Sequence, residues 1–218
     1  MVTTLIYSYI ISAVIGLVCL PKIGNTAFKI LAIFWAFSVT IDLGIERFDA
    51  GDGRLIRLYY CLYYLIALTV YVYVFNANQT RRSIRYWLQW LSVGLLAIVV
   101  SVQILENLQD HTAANTVFIA QAFGVFWVVL PYFSDVLVSR NYIDLFKEPL
   151  FLVASALLLY TSGNLIATGF FHQLFAYSKE LARHLYKLNY GMNIIMCVLF
   201  SAAFIVSTKK TRALSNEY

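Results

Sequence analysis

The stretch PLFLVASALLLYTSGNLIATGFF, Pro149–Phe171, runs for 23 residues without a charged side chain. A helix rises about 1.5 Å per residue and the hydrocarbon of a bilayer is about 30 Å thick, so about 20 apolar residues suffice to cross it. The run is continuous rather than alternating, which excludes a strand of a membrane barrel. A helix also satisfies its own backbone groups where no water can reach them. Six further segments read the same way: Thr3–Leu20, Ala27–Glu46, Leu55–Phe75, Trp87–Leu105, Thr116–Val138 and Leu188–Thr208. The expected fold is all-α, a polytopic membrane bundle of seven transmembrane helices with short loops. It occupies residues 1–208 and is followed by a short basic tail at 209–218. Short connectors set successive helices antiparallel.

Composition supports the same class. Hydrophobic residues make up 61% of the chain and charged ones 12%, where soluble domains hold roughly half and a quarter. The mean hydropathy of +0.74 is carried by every segment rather than by one anchor. A soluble fold of this length has too little interior to hide that much apolar surface. The net charge of +5 does not point to nucleic acid, because the basic residues lie in connectors, where they set membrane topology. Cys19, Cys61 and Cys197 fall inside apolar runs without zinc-site spacing. The first run lacks a basic start and ends in Pro21-Lys22 rather than a cleavage signature, so it reads as a span and not a removable signal.

Lysine and arginine assign the two ends of the helices. Lys22 and Lys29, then Arg81, Arg82 and Arg85, then Arg140 and Lys147, then Lys209, Lys210 and Arg212 mark one side. The other side carries Glu106, Asp110 and His111, and the mixed set Glu46, Arg47, Asp49, Asp52, Arg54 and Arg57. Lys179, Arg183 and Lys187 are the one contrary group. The expectation is an N-terminus outside and a C-terminus in the cytoplasm of a bacterial inner membrane. Gln173–Lys187 reads either as an interfacial helix or as an extension of the seventh span. Asp49-Ala-Gly-Asp-Gly is a turn.

Polar side chains inside the spans carry the functional argument, because hydrocarbon makes them costly. Asp42 lies about one turn before the outer end of the second helix, and Arg57 opens the third on that side. Their pairing would stabilise either a helix interface or a binding site. Gln103, Gln121, Asn164, Asn189 and Asn193 fall in the same outer halves. Singly, each reads as a hydrogen bond between helices. Together, Asp42, Arg57, Gln103, Gln121, Asn164 and Asn193 are the candidate ligand-binding residues of an outward-facing pocket. Tyr59, Tyr60, Tyr63, Tyr64, Tyr71 and Tyr73 crowd the third helix, and stacking on a ligand is one use for them. Trp35, Trp87, Trp90 and Trp127 read as anchors or packing. Pro131 is expected to kink the fifth helix, with Asp135 facing headgroups beside Arg140. The inner half reads as dry.

Several chemistries have no matching residues. No lysine sits mid-membrane in the seventh helix to bind retinal. His111, His172 and His184 lie in outer connectors, not as a facing pair for haem and not at zinc spacing. No hydrolase, zinc-protease or phosphate-loop motif is present, and the sequon Asn78-Gln79-Thr80 falls on the cytoplasmic side. The reading is non-enzymatic, with no catalytic residue, no metal and no cofactor.

Glu148-Pro149-Leu150-Phe151, Leu159-Tyr160-Thr161-Ser162-Gly163-Asn164-Leu165 and Leu188-Asn189-Tyr190-Gly191-Met192-Asn193-Ile194-Ile195 form a recurrent pattern. With Ser38-Val39-Thr40-Ile41-Asp42, it resembles small uncharacterised seven-helix inner-membrane proteins of Bacteroidetes-type bacteria. In those proteins the second-helix acid is a glutamate, and a further acid stands where Tyr63 and Tyr64 do here. The resemblance implies the seven-helix fold and, through neighbouring two-component genes, a link to sensing. The functional expectation is a membrane receptor or signalling accessory that acts through a membrane-protein partner or a second copy. A small-molecule ligand fits that reading, and with tiny loops the output must pass through the partner. The alternatives are a small-solute transporter or channel, a lipid-acting enzyme, and a scaffolding subunit of a larger complex.

Overall fold

The computed structural model describes residues 2–47, 53–78, 84–105, 112–138 and 144–215. Among them the chain is almost entirely helical, with seven helices long and apolar enough to cross a membrane. They are α1 (Val2–Cys19), α2 (Thr26–Arg47), α3 (Gly53–Asn78), α4 (Ile84–Leu105), α5 (Thr112–Val138), α6 (Pro149–Tyr177) and α7 (Lys179–Ser215). Seven such helices suggest a membrane protein.

Local signals set the helix ends. Pro21 sits in a 3-10 turn, Leu20–Lys22, after α1. Asn25 caps α2, its Oδ1 accepting the Ala27 N–H at 2.9 Å. Pro149 takes the first position of α6, where a missing N–H costs nothing. The described segment before it carries the exposed Asp144–Lys147 ion pair at 2.8 Å. α5 runs on as helix through Pro131.

The chain divides into two compact units, 1–39 with 139–218, and 40–138, so that α2 contributes to both. The first unit is built on α6 and α7. Gly163 and Met192 face each other so closely that a Cβ on Gly163 would lie 2.8 Å from Met192 Cγ. These residues lie fifteen before and fourteen after Ser178, so the two helices form an antiparallel hairpin. Ser178 alone interrupts the helix, and its Oγ accepts the Leu181 N–H at 3.3 Å to cap α7. This settles the sixth connector: Gln173–Tyr177 end α6, and Lys179–Lys187 are the opening turns of α7, not a separate surface helix. α7 has 37 residues, about 55 Å of helix, well beyond what hydrocarbon requires. It continues through the expected tail to Ser215. α1 lies against α7 at Gly16, where a Cβ would stand 3.2 Å from the Phe204 ring. Phe200, Phe204, Leu31 and Leu157 are fully buried here.

The second unit is built around α3, which packs against both α4 and α5. Its buried face is Cys61, Ala67, Leu68, Tyr71, Val72, Val74 and Phe75. Gly124 lets α5 approach, since a Cβ there would meet Leu68 Cδ2 at 2.7 Å. The Phe75 and Tyr132 rings meet edge-on at 5.6 Å, which ties the end of α3 to the last turns of α5. α4 turns Gln89, Leu96 and Val100 inward and leaves much of its apolar surface outward.

Candidate functional site

Three groups of polar side chains sit inside the helices, and they differ in whether their hydrogen-bonding capacity is used. The first lies in the unit built on α6 and α7. Tyr9 Oη donates to Asn193 Oδ1 at 2.8 Å. Asn193 Nδ2 in turn donates to the Asn189 carbonyl at 2.8 Å and to Asn189 Oδ1 at 3.3 Å. One turn deeper on α1, Trp35 Nε1 donates to Ser12 Oγ at 3.1 Å, and Ser12 Oγ donates to the Cys197 carbonyl at 3.1 Å. Trp35 also packs edge-on to Tyr9, with centroids 6.0 Å apart, and against Phe200 at 4.9 Å. Both amide atoms of Asn193 are thus spent within the protein, and α1, α2 and α7 are bonded through their side chains. Asn164 lies half-buried on α6, its Nδ2 donating to the Tyr160 carbonyl at 3.0 Å. The Tyr9, Ser12, Trp35 and Asn193 bonds hold helices together and offer little to a ligand, while the Asn164 bond stays within α6.

The second group lies in the other unit, at the end of α3 nearest its start. Tyr59 stacks on Tyr63 at 6.0 Å, Tyr60 stacks on Tyr64 at 6.3 Å, and Tyr64 leans on Phe118 of α5 at 5.5 Å. The i, i+4 spacing brings these rings together. The buried Tyr59 hydroxyl sits beside the Asp42 carboxylate without the geometry of a formed hydrogen bond. Arg57 is half-buried one turn after Gly53, its guanidinium folded back over that glycine. Gln121 is buried on α5 one turn beyond Phe118, and Gln103 is half-buried in the last turn of α4. A carboxylate at the end of a row of tyrosine rings can recognise a small organic cation through charge and ring faces.

The third group, Asn76, Gln89 and Trp90, was not among the expected site residues. Gln89 is 1% exposed. Both of its amide atoms, both of those of Asn76 and the indole nitrogen of Trp90 are buried without a hydrogen-bond partner. Gln89 follows Trp87 at the start of a span, where an amide ordinarily meets headgroups. Its i, i+7, i+11 relation to Leu96 and Val100 is the pattern that would have placed it on the inward face. Tyr9, Ser12 and Trp35 were missed for a similar reason: each is unremarkable until its partner helix is known.

Of the six expected pocket residues, Asp42, Arg57, Gln103 and Gln121 belong to the unit of residues 40–138, and Asn164 and Asn193 to the other. Asp135 is exposed on α5. Arg81, Arg82, Glu106, Asp110, His111 and Arg140, the turn residues 49–52, and the side chains of Glu46, Arg85, His172, Lys210 and Arg212 lie outside the described residues. No group of three His, Cys, Asp or Glu side chains suited to a metal occurs among the described residues. Comparison of the chain with protein-family models, with curated proteins and with solved structures finds no match.

Proposed function

We propose that this chain is a non-enzymatic receptor or signalling accessory of a bacterial inner membrane, with its N-terminus outside. In this reading Asp42 and the tyrosine row Tyr59, Tyr60, Tyr63 and Tyr64 form the outward ligand site, and a small organic cation is the ligand class. The supporting observation is the Asp42 carboxylate beside the buried Tyr59 hydroxyl at the end of stacked rings. The carboxylate supplies the charge, and the rings the faces, that such a cation would meet. Occupancy would favour one packing of α3 against its neighbours over another and so be sensed by a membrane-protein partner or a second copy. Titration of choline into protein reconstituted in nanodiscs, followed by tyrosine and tryptophan fluorescence, tests this. Asp42→Asn should weaken binding on the order of tenfold or more, the loss of one charge-assisted contact. Equal binding by wild type and Asp42→Asn removes the proposal.

A second reading, a small-solute transporter, is favoured by the unpartnered amides of Asn76 and Gln89. They add polar groups to a part of the bundle that the sequence reading took as dry. Solute uptake into liposomes that is lost in Asn76→Leu would support it over a receptor.

A further inference from the structure

Between α4 and α5, within the unit of residues 40–138, lies a cavity of about 420 Å³. Along α4 it reaches from Leu88 to Val99, about 16 Å of helix or roughly three turns. Its cause is on α5, where Ala120 and Gly124 stand one turn apart on one face and project almost nothing into the space beside α4. Leu96 and Gly124 are buried and form its floor, and Leu95, Phe123 and Trp127 are exposed and form its rims. The cavity is thus a groove, open along a side that would face lipid. The polar side-chain atoms around it are the Ser92 hydroxyl, which donates to the Gln89 carbonyl at 2.6 Å, and the Trp127 indole nitrogen. A ligand that depends on several hydrogen bonds has no site there.

We propose that this groove seats an acyl chain of an anionic phospholipid. Its dimensions decide between a chain and a helix. One turn of helix with its side chains is about 10–12 Å across and about 5.4 Å high, or about 400–600 Å³. A groove of about 420 Å³ drawn out over three turns of α4 falls well short of seating another helix, whether of a second copy or of a partner. It suits a narrow, flexible chain. The Leu88 end also has the marks of headgroup level. Trp87 is 74% exposed and meets Tyr86 edge-on at 5.6 Å, and these two residue types gather at the membrane interface. In sequence Arg81, Arg82 and Arg85 precede them without an intervening acid. The arginines form no part of the groove, but their charge favours an anionic headgroup over a zwitterionic one at that end. Apolar contact alone does not distinguish the groove from bulk lipid, because lipid tails are as apolar as leucine. Shape holds the chain, and headgroup charge selects it. Asp42 and the tyrosine row play no part in this site.

The test uses the full chain in nanodiscs of phosphatidylcholine and phosphatidylglycerol in equal amounts and with the same chains. Lipids retained on the ejected protein are counted by native mass spectrometry. Phosphatidylglycerol should be retained over phosphatidylcholine about tenfold, the worth of one to two basic residues near an anionic surface. Ala120→Leu fills the notch on α5 and should lower that retention about tenfold. Leu95→Trp fills the same groove from its exposed rim, outside the packed interior, so a loss shared by both variants is not a folding defect. As a second readout, phosphatidylglycerol brominated in its chains should quench Trp127 more strongly than brominated phosphatidylcholine, with Trp127→Phe as the reference. Equal retention of the two lipids by wild type, or equal quenching by them, overturns the proposal. So does undiminished retention in both Ala120→Leu and Leu95→Trp. Cross-linking of two copies through Leu95→Cys, lost when Ala120→Leu is added, would give the groove to a second copy and overturn it as well.

Discussion

The two units treat buried polarity in opposite ways. In the unit built on α6 and α7, Tyr9, Ser12, Trp35, Asn189 and Asn193 bond to one another or to backbone carbonyls. In the unit of residues 40–138, the side-chain amides of Asn76 and Gln89 and the indole nitrogen of Trp90 are buried without a partner. A satisfied network rigidifies the helices it joins, whereas unsatisfied groups lower stability and are kept where something else depends on them. The first unit reads as a scaffold, and the second holds the residues proposed above to meet a ligand.

That contrast can be broken by mutation. The largest effect is expected for Trp35→Ala, which removes a buried ring lying against Tyr9 and Phe200 along with its bond to Ser12. Loss of about 3–5 kcal/mol should appear as a large fall in the unfolding midpoint of reconstituted protein. A small effect would show that the scaffold is not held through α2. Next come the glycines. Gly163→Ala pushes a Cβ onto Met192 Cγ and Cβ, atoms close to the α7 backbone, and should cost about 1–3 kcal/mol. Gly124→Ala meets the ends of the Leu68 side chain, which can rotate away, and should cost less. A reversed order in the same unfolding assay would contradict the packing described for the two helix pairs.

The sharpest comparison is between two removals of an amide. Asn193→Leu leaves the Tyr9 hydroxyl without its acceptor and should destabilise by about 1–3 kcal/mol. Gln89→Leu removes groups that bond nothing and should stabilise the ligand-free protein. Equal signs for the two substitutions would erase the distinction between the units.

The smallest effect belongs to the exposed Asp144–Lys147 pair. Lys147 holds the Asp144 carboxyl below its usual range, and Asp144 raises the Lys147 ammonium. For Asp144 the contribution is complete above the ordinary carboxylate value of 3.8 and is lost as pH falls through the lowered one. For Lys147 it is complete below the ordinary value of 10.5 and is lost as pH rises through the raised one. Both groups are bathed in solvent, so Asp144→Asn should leave the neutral-pH melting temperature nearly unchanged. A drop comparable to that of Asn193→Leu would mean the pair does more than its exposure allows.

The seven helices were legible because length and apolarity are local properties. Pro149, Leu105 and Val138 bound spans in the sequence and end helices in the structure. The start of α7 was less legible. Lys179, Glu180, Arg183 and His184 interrupt the hydrophobic run, but charge on the exposed turns of a helix does not end it, and Ser178 supplies the cap. The candidate site was legible only in part. Asp42 and the tyrosines stand out because acids and stacked aromatic spacing are conspicuous in apolar segments. Gln89 and Asn76 do not, because an amide near a span end is ordinary unless the neighbouring helix buries it.

Sequence alone determined that this chain forms seven apolar helices, since their number and approximate bounds follow from composition over about 20 residues. Only the tertiary structure decided which polar side chains are spent and which are left over. Asn193 and Gln89 carry the same chemical group in similar apolar surroundings. What separates them is the presence of a tyrosine hydroxyl 184 residues away in the chain for the one, and of no partner for the other. A hydrogen bond depends on where two helices meet, and that meeting is set by packing over the whole unit rather than by any local run of residues.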